Sequence, residues 1–344
     1  MPLKILHLAA GNRWTGAAAP AFAEVEALRA AGVDAHYAYV GGYKLEAKLR
    51  HHDFAHPLIG KAQNPVSFLR TVQTLRRLID HHGFDVVHAH LTYDHWLARF
   101  AVSGTATRLG RTFHARRVLR SDPFTLSLLH RTEHLFVINR GFHIEGRQVV
   151  FTPPPLDRRQ FHPDGPDVRA AYGIGNEEKL LVAIGKLAKG RGFELALDTL
   201  AEVPEARLMI IGHGEHRSAL EAHAARHGVE KRVIWAGYHE DDLAEHYRAA
   251  DALLFTARGS DEGHRAVLEA MACGVMPVVA PLEGIDALVP ADSIARAHSA
   301  AALAETARRA LHSRSVDARR HITEHTLQFS YEAAAERLIA AYSL

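Results

Sequence analysis

The sequence predicts an α/β protein with two doubly wound domains that face a cleft. Short apolar runs alternate with helical patterns through the first half of the chain, which is typical of a parallel sheet covered by helices on both faces. Three consecutive prolines, Pro153–Pro155, interrupt the alternation, and it restarts near Lys179. The length of 344 residues also exceeds a typical single hydrophobic core, so two domains are expected.

The first domain begins with a strand at Lys4–Ala10, a loop at Gly11–Gly16 and a helix at Ala17–Ala31. Gly32 ends that helix, because glycine readily adopts the left-handed conformation common at helix C-termini. The elements predicted next are a strand at Asp34–Val40, a helix near Pro65–His82, and strands at Asp85–His90, Arg111–His114, Leu135–Asn139 and Val149–Phe151.

The stretch Thr152–Asp157 predicts a stiff connection, because consecutive prolines cannot continue a helix or a central strand. A surface loop within one domain is the alternative interpretation. We place the domains at residues 1–157 and 158–329, and we expect an amphipathic helix at 330–344 to pack back on the first domain.

The second domain repeats the alternation. Its predicted strands are Lys179–Gly185, Arg207–Gly212, Arg232–Gly237, Ala252–Thr256 and Met276–Ala280, and its helices are Phe193–Glu202, His216–His227, Asp242–Ala250 and a helix that ends at Cys273. Open parallel sheets bind ligands at their carboxyl edges. We therefore expect a ligand in the cleft between two Rossmann-like sheets.

Composition excludes several classes of protein. A formal net charge of +2 argues against a dedicated nucleic-acid binder, and no run approaches the ~18–20 apolar residues of a membrane span. The start of the chain lacks the features of a signal peptide. The lone Cys273 excludes an internal disulfide and a cysteine metal cluster. These features favour a cytoplasmic location, and we expect most of the 26 scattered histidines to lie at the surface.

Acidic residues flank the turn that follows the strand Ala252–Thr256. Asp261 lies in the loop, at the start of a helix that runs from about His264, and Glu269 lies eight residues along the chain from Asp261. Helix N-termini attract anionic groups, and carboxylates accept hydrogen bonds from sugar hydroxyls. The alternative is an N-capping acid followed by a solvated helix glutamate.

This stretch resembles the retaining glycosyltransferases of family 4, which have the GT-B fold. That family carries E-x7-E followed by E-A-M-A-x-G-x-P-V-V. The matching residues are Asp261, Glu269, Ala270, Met271, Ala272, Gly274, Pro277, Val278 and Val279. The first acid is Asp in place of Glu, and Glu262 lies beside it. Either carboxylate can take the family role, and we favour Asp261 because it keeps the spacing.

The loop Ile184–Gly192 resembles the G-R-L-x-x-x-K-G loop that holds the donor diphosphate in this family. Lys186 occupies the place of the family's Arg, and Arg191 that of its Lys. Both residues supply positive charge, although guanidinium and ammonium groups bind phosphate differently. Lys189 is a substitute ligand, and a solvated basic turn is the alternative.

Further matches extend along the second domain. Ile210–Gly214 resembles the family's G-x-G turn, Val233–Tyr238 the strand whose backbone holds the nucleobase, and Tyr247–Asp251 is also typical of the family. The resemblance implies the following donor-binding residues: Gly16, Gly185, Lys186, Arg191, Gly212, Gly237, Tyr238, Asp261, Glu262, Gly263, His264 and Glu269.

The first domain matches the family more loosely. Gly16 lies in the first strand-to-helix loop, where relatives approach the donor phosphate, and Asp85–His90 resembles the family's D-V-V-H-x-H strand. Thr112–His114 resembles the strand end that carries the active-site histidine of some relatives. The resemblance therefore implies that His114 contacts the sugar or the acceptor; a structural histidine is the alternative.

The resemblance implies transfer of a sugar from a nucleoside-diphosphate sugar, bound by the second domain, to an acceptor hydroxyl of a glycan, a lipid-linked compound or a small molecule, with retention at the anomeric carbon. It implies a catalytic set of His114, Asp261, Lys186 and Arg191. No cofactor is expected, and no metal, since the chain lacks an Asp-x-Asp motif and a His/Cys cluster.

The acceptor is suggested only by arginines in the segment Arg108–Arg120: Arg108, Arg111, Arg116, Arg117 and Arg120. One hypothesis is an anionic acceptor or peripheral contact with an anionic inner membrane face; the alternative is a solvated basic face. Other functions that fit the architecture are a nucleotide-sugar epimerase, a sugar phosphorylase and a non-catalytic nucleotide-sugar binder. A dinucleotide dehydrogenase is disfavoured, because G-x-G-x-x-G does not follow the first strand.

Overall fold

The computed structural model describes residues 3–11, 17–61, 64–114, 119, 122–257, 264–313 and 315–343. The chain divides into two compact units, one formed by Met1–Pro155 with Phe329–Leu344 and the other by Leu156–Gln328. The division falls inside the proline-rich stretch. Each unit contains a parallel sheet with helices, which confirms the predicted α/β class.

The elements follow one another in the alternating order that the sequence predicted. The strands are β1 (Lys4–Ala9), β2 (Asp34–Val40), β3 (Ala55–Ile59), β4 (Val86–Ala89), β5 (Arg108–Phe113), β6 (His134–Val137), β7 (Val150–Phe151), β8 (Lys179–Ile184), β9 (Ala206–Ile211), β10 (Val233–Gly237), β11 (Ala252–Phe255) and β12 (Met276–Val279). The helices are α1 (Ala18–Ala30), α2 (Lys44–Leu49), α3 (Pro65–His82), α4 (Thr92–Ala101), α5 (Pro123–His130), α6 (Phe193–Ala201), α7 (Arg217–Arg226), α8 (Leu243–Ala249), α9 (His264–Ala272), α10 (Ala300–His312), α11 (Val316–His325) and α12 (Tyr331–Tyr342).

Both sheets are parallel throughout their described strands. The strand order in the first unit is β3-β2-β1-β4-β5-β6-β7, and in the second it is β10-β9-β8-β11-β12. The order therefore reverses between β1 and β4 in one sheet and between β8 and β11 in the other. Such switch points open a crevice at the carboxyl ends of the strands, where ligands of this architecture bind.

Side-chain alternation along β1 separates the two cores of the first unit. Ile5 and Ala9 pack with residues of α1 and α12, whereas Leu6 and Leu8 pack with residues of α3 and α4. Successive side chains of a strand point to opposite faces. The sheet is consequently buried on both faces, which explains why its strands contain few exposed positions.

Helix α3 shows how local sequence sets the boundaries of an element. The Asn64 side chain accepts a hydrogen bond from the Ser67 amide at 2.9 Å, and Pro65 occupies the first turn. Gly83 ends the helix with a φ of 65°, a conformation that glycine adopts without strain. These signals explain why the predicted range, Pro65–His82, coincides with the helix.

Helix α12 packs on α1 within the first unit. The hydroxyl of Tyr331 donates to Oε2 of Glu26 at 3.1 Å, and Tyr342 at the other end is fully buried. The Ser330 side chain caps the helix. The last helix of the chain is thus part of the first unit's core.

The core of the second unit lies between its sheet and the helices α6, α7 and α10. Cys273 is also buried in this unit, and burial raises the pKa of its thiol to about 12. Among the described helices, none combines the length and apolarity needed to cross a bilayer.

Candidate functional site

Glycines bring the loops after β8 and β9 into direct contact. Gly212 has a φ of 141°, and a Cβ there would lie 1.9 Å from the Gly185 carbonyl oxygen. The Gly185 amide donates to the Ile211 carbonyl at 3.0 Å, and the Gly212 amide donates to the Gly237 carbonyl at 2.6 Å. A side chain at Gly212 would force these strand ends apart, so glycine is required at this edge of the sheet.

The predicted phosphate loop follows β8. Lys186 is 54% exposed, and its Nζ lies 3.5 Å from Oε2 of Glu215. The pKa of the exposed Glu215 carboxyl lies below its usual value because of its own backbone amide and Lys186. Lys189 is exposed and Arg191 is half-buried. The loop therefore presents cationic side chains just ahead of α6.

Gly192 joins this loop to α6 and to the end of β11. It has a φ of 85°, and a Cβ there would lie 2.3 Å from the Thr256 carbonyl oxygen. The Thr256 hydroxyl donates to the Gly192 carbonyl at 2.7 Å. The N-terminus of α6 is thereby held at the β8/β11 switch point, where its unpaired amides favour an anion.

Glu269 lies on α9 and is 4% exposed. Its Oε2 accepts from the Tyr247 hydroxyl at 3.2 Å, and its Oε1 accepts from Arg265 Nε at 2.6 Å. Burial, together with Glu269, raises the pKa of the Tyr247 phenol well above its usual value, so this phenol remains a donor. Sequence reasoning noted Tyr247 as typical of the family but did not connect it or Arg265 with the Glu269 carboxylate.

The other residues predicted to contact the donor differ in their exposure to solvent. Tyr238 follows β10, is 61% exposed and donates to Oε2 of Glu240 at 3.0 Å. His264 begins α9 and is buried, with its ring 6.2 Å from that of Phe255. The predicted site residues Gly16, Asp261, Glu262 and Gly263 lie outside the described residues.

His114 directly follows β5 in the first unit and is 8% exposed. Its Nε2 lies 2.8 Å from Nδ1 of His90. Burial, with a contribution from the charge of Arg111, lowers the pKa of His114 to about 3. The ring is therefore neutral at physiological pH and can act as a hydrogen-bond donor or acceptor.

Asp94 fixes the chain at the β1/β4 switch point. Its carboxylate accepts from the backbone amides of Ala10 and His90, at 3.2 Å each, and from that of Leu91 at 2.8 Å. Burial raises the pKa of this carboxyl, while Arg111 and the three amides oppose the rise. Asp94 thus holds the backbone from which His90 projects.

One arginine of the basic segment, Arg111, differs from the solvated or membrane-facing residue that the sequence suggested. Arg111 is 1% exposed, and its guanidinium lies 5.0 Å from the centre of the Phe113 ring. It is buried because β5 is an interior strand, so Arg111 cannot contact a membrane or a bulky acceptor. Arg108 is half-buried, and the arginines Arg116, Arg117 and Arg120 lie outside the described residues.

Several histidines of the first unit depart from the expectation that most of the 26 lie at the surface. Four residues, His7, His88, His90 and His114, are between 0% and 8% exposed. His7 and His88 occupy paired positions of β1 and β4, two adjacent interior strands that are buried on both faces. Glu24 is buried beside them and was not singled out from the sequence.

Two groups in the second unit combine histidine and aspartate at separations that an ion could span: Asp198, His223 and His227, and His239, Asp242 and His246. Both already contain hydrogen bonds, such as the 2.6 Å contact between His223 Nε2 and Asp198 Oδ1. The predicted diphosphate loop belongs to neither group.

The fold is that of the GT-B glycosyltransferases. A glycosyltransferase from Rickettsia africae ESF-5 superposes with a TM-score of 0.84 at 14% identity, covering 99% of this chain and 98% of that one. Anabaena HepE in complex with UDP and glucose superposes with a TM-score of 0.79 at 16% identity, covering 99% of both chains.

The family follows from the sequence itself. Residues 164–329 match the model of glycosyl transferases group 1, and residues 14–158 match that of glycosyltransferase family 4. The chain belongs to the group 1 glycosyltransferases of family 4. D-inositol 3-phosphate glycosyltransferase of Segniliparus rotundus is 29% identical over 247 residues, which cover 65% of this chain and 53% of that one. The chain spans between about a third and about half of the length of the curated relatives that it matches first, with shares of 35%, 53% and 46%.

Proposed function

We propose that this chain transfers a sugar from a nucleoside-diphosphate sugar to an acceptor hydroxyl with retention at the anomeric carbon. The observation that carries the proposal is the arrangement at the β8/β11 switch point. There the glycine-held loop with Lys186 and Arg191 precedes the N-terminus of α6, and Thr256 at the end of β11 is bonded to Gly192. Anabaena HepE, which shares the fold, has been crystallised in complex with UDP and glucose, and these ligands fit the same donor class.

The leaving diphosphate sets the main chemical requirement. Negative charge grows on it as the bond to the sugar breaks, and preorganised cations and helix amides stabilise such charge. Lys186, Arg191 and the amides of α6 are the groups we assign to this role. Because they supply positive charge, we expect transfer to proceed without a divalent metal or another cofactor.

Glu269 is the residue we assign to the ribose hydroxyls. Each carboxylate oxygen has two lone pairs, so the contacts with Tyr247 and Arg265 orient the carboxylate and leave acceptor capacity. In the same proposal Asp261, or Glu262 beside it, orients the transferred sugar with Gly263 and His264. The rest of the donor-binding set is Gly16, Gly185, Gly212, Gly237 and Tyr238.

His114 is the group of the first unit that we assign to the sugar or the acceptor. The acceptor remains a glycan, lipid-linked or small-molecule hydroxyl. Arg108, Arg116, Arg117 and Arg120 are the arginines that we assign to binding an anionic acceptor or an anionic inner membrane surface. Arg111 is left out of this set because it is buried. A cytoplasmic location is part of the proposal, because a lone buried thiol such as Cys273 suits a reducing compartment.

The test is a thermal-shift screen of nucleoside-diphosphate sugars, followed by a transfer assay with each stabilising donor. A ligand at 100 times its dissociation constant adds about 2.7 kcal/mol of stability. We expect release of nucleoside diphosphate only when an acceptor is supplied. Interconversion of donor sugars would indicate an epimerase, sugar 1-phosphate formation a phosphorylase, and stabilisation without turnover a binder.

A further inference from the structure

Two histidines and an aspartate meet where β10 leads into α8. His239 lies two residues after β10, Asp242 directly precedes α8, and His246 lies within that helix. Each residue offers one ligand atom, and these atoms all lie within 4.8 Å of one another. The side chain of His246 is 1% exposed, while those of His239 and Asp242 are 22% and 46% exposed. These three residues, the β10–α8 cluster, therefore have a buried end and a side open to solvent.

The Asp242 carboxylate is directed at the two imidazoles. Asp242 occupies the position before α8 at which an aspartate usually caps a helix by accepting from amides of the first turn. Its side chain makes no such bond to the described amides of α8. Both carboxylate oxygens instead lie 3.0 Å from Nδ1 of His239, and Oδ2 lies 3.8 Å from Nδ1 of His246.

His239 lies between two groups that only accept hydrogen bonds. Its Nε2 is 3.0 Å from the Ala236 carbonyl oxygen, and its Nδ1 faces the Asp242 carboxylate. A neutral imidazole has one N–H group, so it satisfies only one of these acceptors. With the hydrogen on Nε2, the lone pair of Nδ1 faces the carboxylate. A cation between them, either a second proton or a metal ion, resolves the conflict.

His246 can present the same nitrogen to this position. Its Nδ1 lies 3.0 Å from the Asp242 carbonyl oxygen, and its Nε2 lies 3.3 Å from the Tyr172 hydroxyl. A tyrosine hydroxyl both donates and accepts, so His246 can carry its hydrogen on Nε2 and keep a lone pair on Nδ1. Histidines that bind metals usually donate their other ring N–H to an acceptor that fixes the ring. Ala236 and Tyr172 supply such acceptors to the two histidines.

The separations suit a transition-metal ion. Zinc lies about 2.0–2.2 Å from histidine nitrogen and carboxylate oxygen, so its tetrahedral ligand atoms are about 3.3–3.5 Å apart. The distances of 3.0 and 3.8 Å from Oδ2 of Asp242 to the two Nδ1 atoms lie on either side of that value. Imidazole ligands favour zinc over magnesium and calcium, which prefer oxygen. Water can supply the fourth ligand from the exposed side of the cluster.

We propose that His239, Asp242 and His246 bind one zinc ion, which joins the loop after β10 to α8. The ion takes the place of the proton between His239 and Asp242, and that proton is released on binding. Glu240 and Asp241 lie between the first two ligands in the sequence, and their negative charge attracts a cation. The inference goes beyond the proposed function and does not rest on it, because none of the three ligands belongs to the groups assigned to the diphosphate.

The hydrogen bonds in the other candidate groups need no ion. Nδ1 of His223 accepts from the Arg226 guanidinium at 3.3 Å. The hydrogen of a neutral His223 therefore lies on Nε2, which donates to Asp198 at 2.6 Å. In the first unit, His7 and His90 are hydrogen-bonded to each other at 2.9 Å. Neutral rings satisfy these contacts.

The experiment measures zinc binding to full-length protein that is prepared without a histidine tag and freed of metal by a chelator. We expect calorimetry with zinc chloride to show one ion bound per chain with a micromolar or lower Kd. X-ray absorption of the loaded protein should show two imidazoles and oxygen ligands at about 2.0–2.2 Å. Amide hydrogen exchange in residues 237–246 should slow when zinc is added, because the ion holds the loop against α8.

Variants assign the ion to the β10–α8 cluster. Asp242→Asn removes the negative charge that holds the cation, and His246→Gln removes a nitrogen ligand, so each should lose the tightly bound ion. Asp241→Asn makes the same charge change at the exposed neighbouring residue. It is the matched control and should bind zinc as the wild type does. Asp198→Asn, in the other histidine group of this unit, should also keep the ion.

A wild type that binds no stoichiometric zinc would overturn the proposal and would leave a proton between His239 and Asp242. Unchanged affinity in Asp242→Asn or in His246→Gln would also overturn it. Loss of the ion in Asp198→Asn would place the zinc elsewhere, and binding that leaves amide exchange unchanged would show that the ion does not join the loop to α8. Circular dichroism shows whether each metal-free variant is folded, and the wild-type titration decides without them. No nucleotide sugar is present, so failure of sugar transfer would leave the zinc site standing.

Discussion

Tyr247 donates its phenolic hydrogen to Glu269 over 3.2 Å, and both side chains are buried. The contact joins α8 to α9, the helices that precede and follow β11 in the chain. Tyr247→Phe should lower the free energy of unfolding by about 1–2 kcal/mol, because a buried carboxylate loses a donor. Urea denaturation measures this. Tyr238→Phe is the control, since the Tyr238 hydroxyl pairs with Glu240 in an exposed position. An equal loss of stability in Tyr238→Phe would contradict a stabilising role for the buried Tyr247–Glu269 bond.

Glu269→Ala tests the proposed ribose contact. We expect the affinity for the nucleoside diphosphate to fall about tenfold or more, as removal of a hydrogen-bonded charged group costs about 1.5–3 kcal/mol. Calorimetry on the folded variant gives the value. Glu230→Ala removes an exposed carboxylate from the same unit and should bind as the wild type does. Unchanged affinity in Glu269→Ala would remove this residue from the site.

Lys186→Ala and Arg191→Ala test the diphosphate loop. Each should reduce turnover by roughly 10²–10³, the usual effect of removing one preorganised donor from a transition state. Steady-state transfer assays give the loss. Lys231→Ala, which removes an exposed lysine after α7, should retain full turnover. Near-normal transfer by both loop variants would place the diphosphate elsewhere.

The buried acid and histidines predict a pH optimum of stability. The pKa of Glu24 rises on folding from 4.5 to about 8, so its contribution is present at low pH and is lost as pH rises through this window. The pKa values of His7 and His114 fall from 6.5 to about 3, so stability is lost as pH falls from 6.5 towards 3. Urea unfolding at a series of pH values should show the free energy of unfolding decline on both the acid side and the alkaline side of an optimum.

The variant Glu24→Gln distinguishes the acid decline in stability from the alkaline decline. The variant lacks the carboxyl, so its stability should not show the alkaline decline that Glu24 causes. The acid limb should remain, because the histidines are unchanged. A variant that follows the wild-type profile at high pH would show that Glu24 does not titrate in the folded protein.

Gly212→Ala tests the close approach of the strand ends. The new Cβ would lie 1.9 Å from the Gly185 carbonyl oxygen, so the loops must separate, and we expect a loss of several kcal/mol, well above the ~1 kcal/mol of a left-handed alanine. Gly228→Ala is the control, since its φ is also positive but nothing lies within 4 Å. Equal losses in thermal or urea unfolding would show that conformation, rather than contact, requires glycine at Gly212.

Sequence reasoning predicted the elements with strong local signals. Asn64, Pro65 and Gly83 define α3, and its range was predicted correctly. Strand β3 was missed, because Pro57 lies within it. Proline removes a ladder donor, but an edge strand tolerates it, and β3 is at the edge of its sheet. Helix α2 was missed because its six residues carry too little periodicity.

Sequence reasoning predicted which residues belong to the site and that they follow the ends of strands. It did not predict the contacts among these residues. The cations of the β8 loop and Glu269 were predicted from their resemblance to the family's motifs. The Tyr247 and Arg265 bonds to Glu269 depend on how α8 packs against α9, which a linear pattern does not contain. Arg111 and the buried histidines were misjudged for the same reason, because polar residues on an interior strand are indistinguishable from exposed ones until their neighbours are known.

Helix α12 has a consequence for how the molecule is made. Tyr342 closes over His88 and lies against Phe136 with ring centres 5.5 Å apart. During synthesis, strands β1 to β7 can pair early. The His88 and Phe136 rings stay uncovered until the last turn of α12, which carries Tyr342, has left the ribosome. The second unit, Leu156–Gln328, can therefore complete its folding before the first unit does. A chain truncated before Tyr342 would leave the His88 and Phe136 rings uncovered.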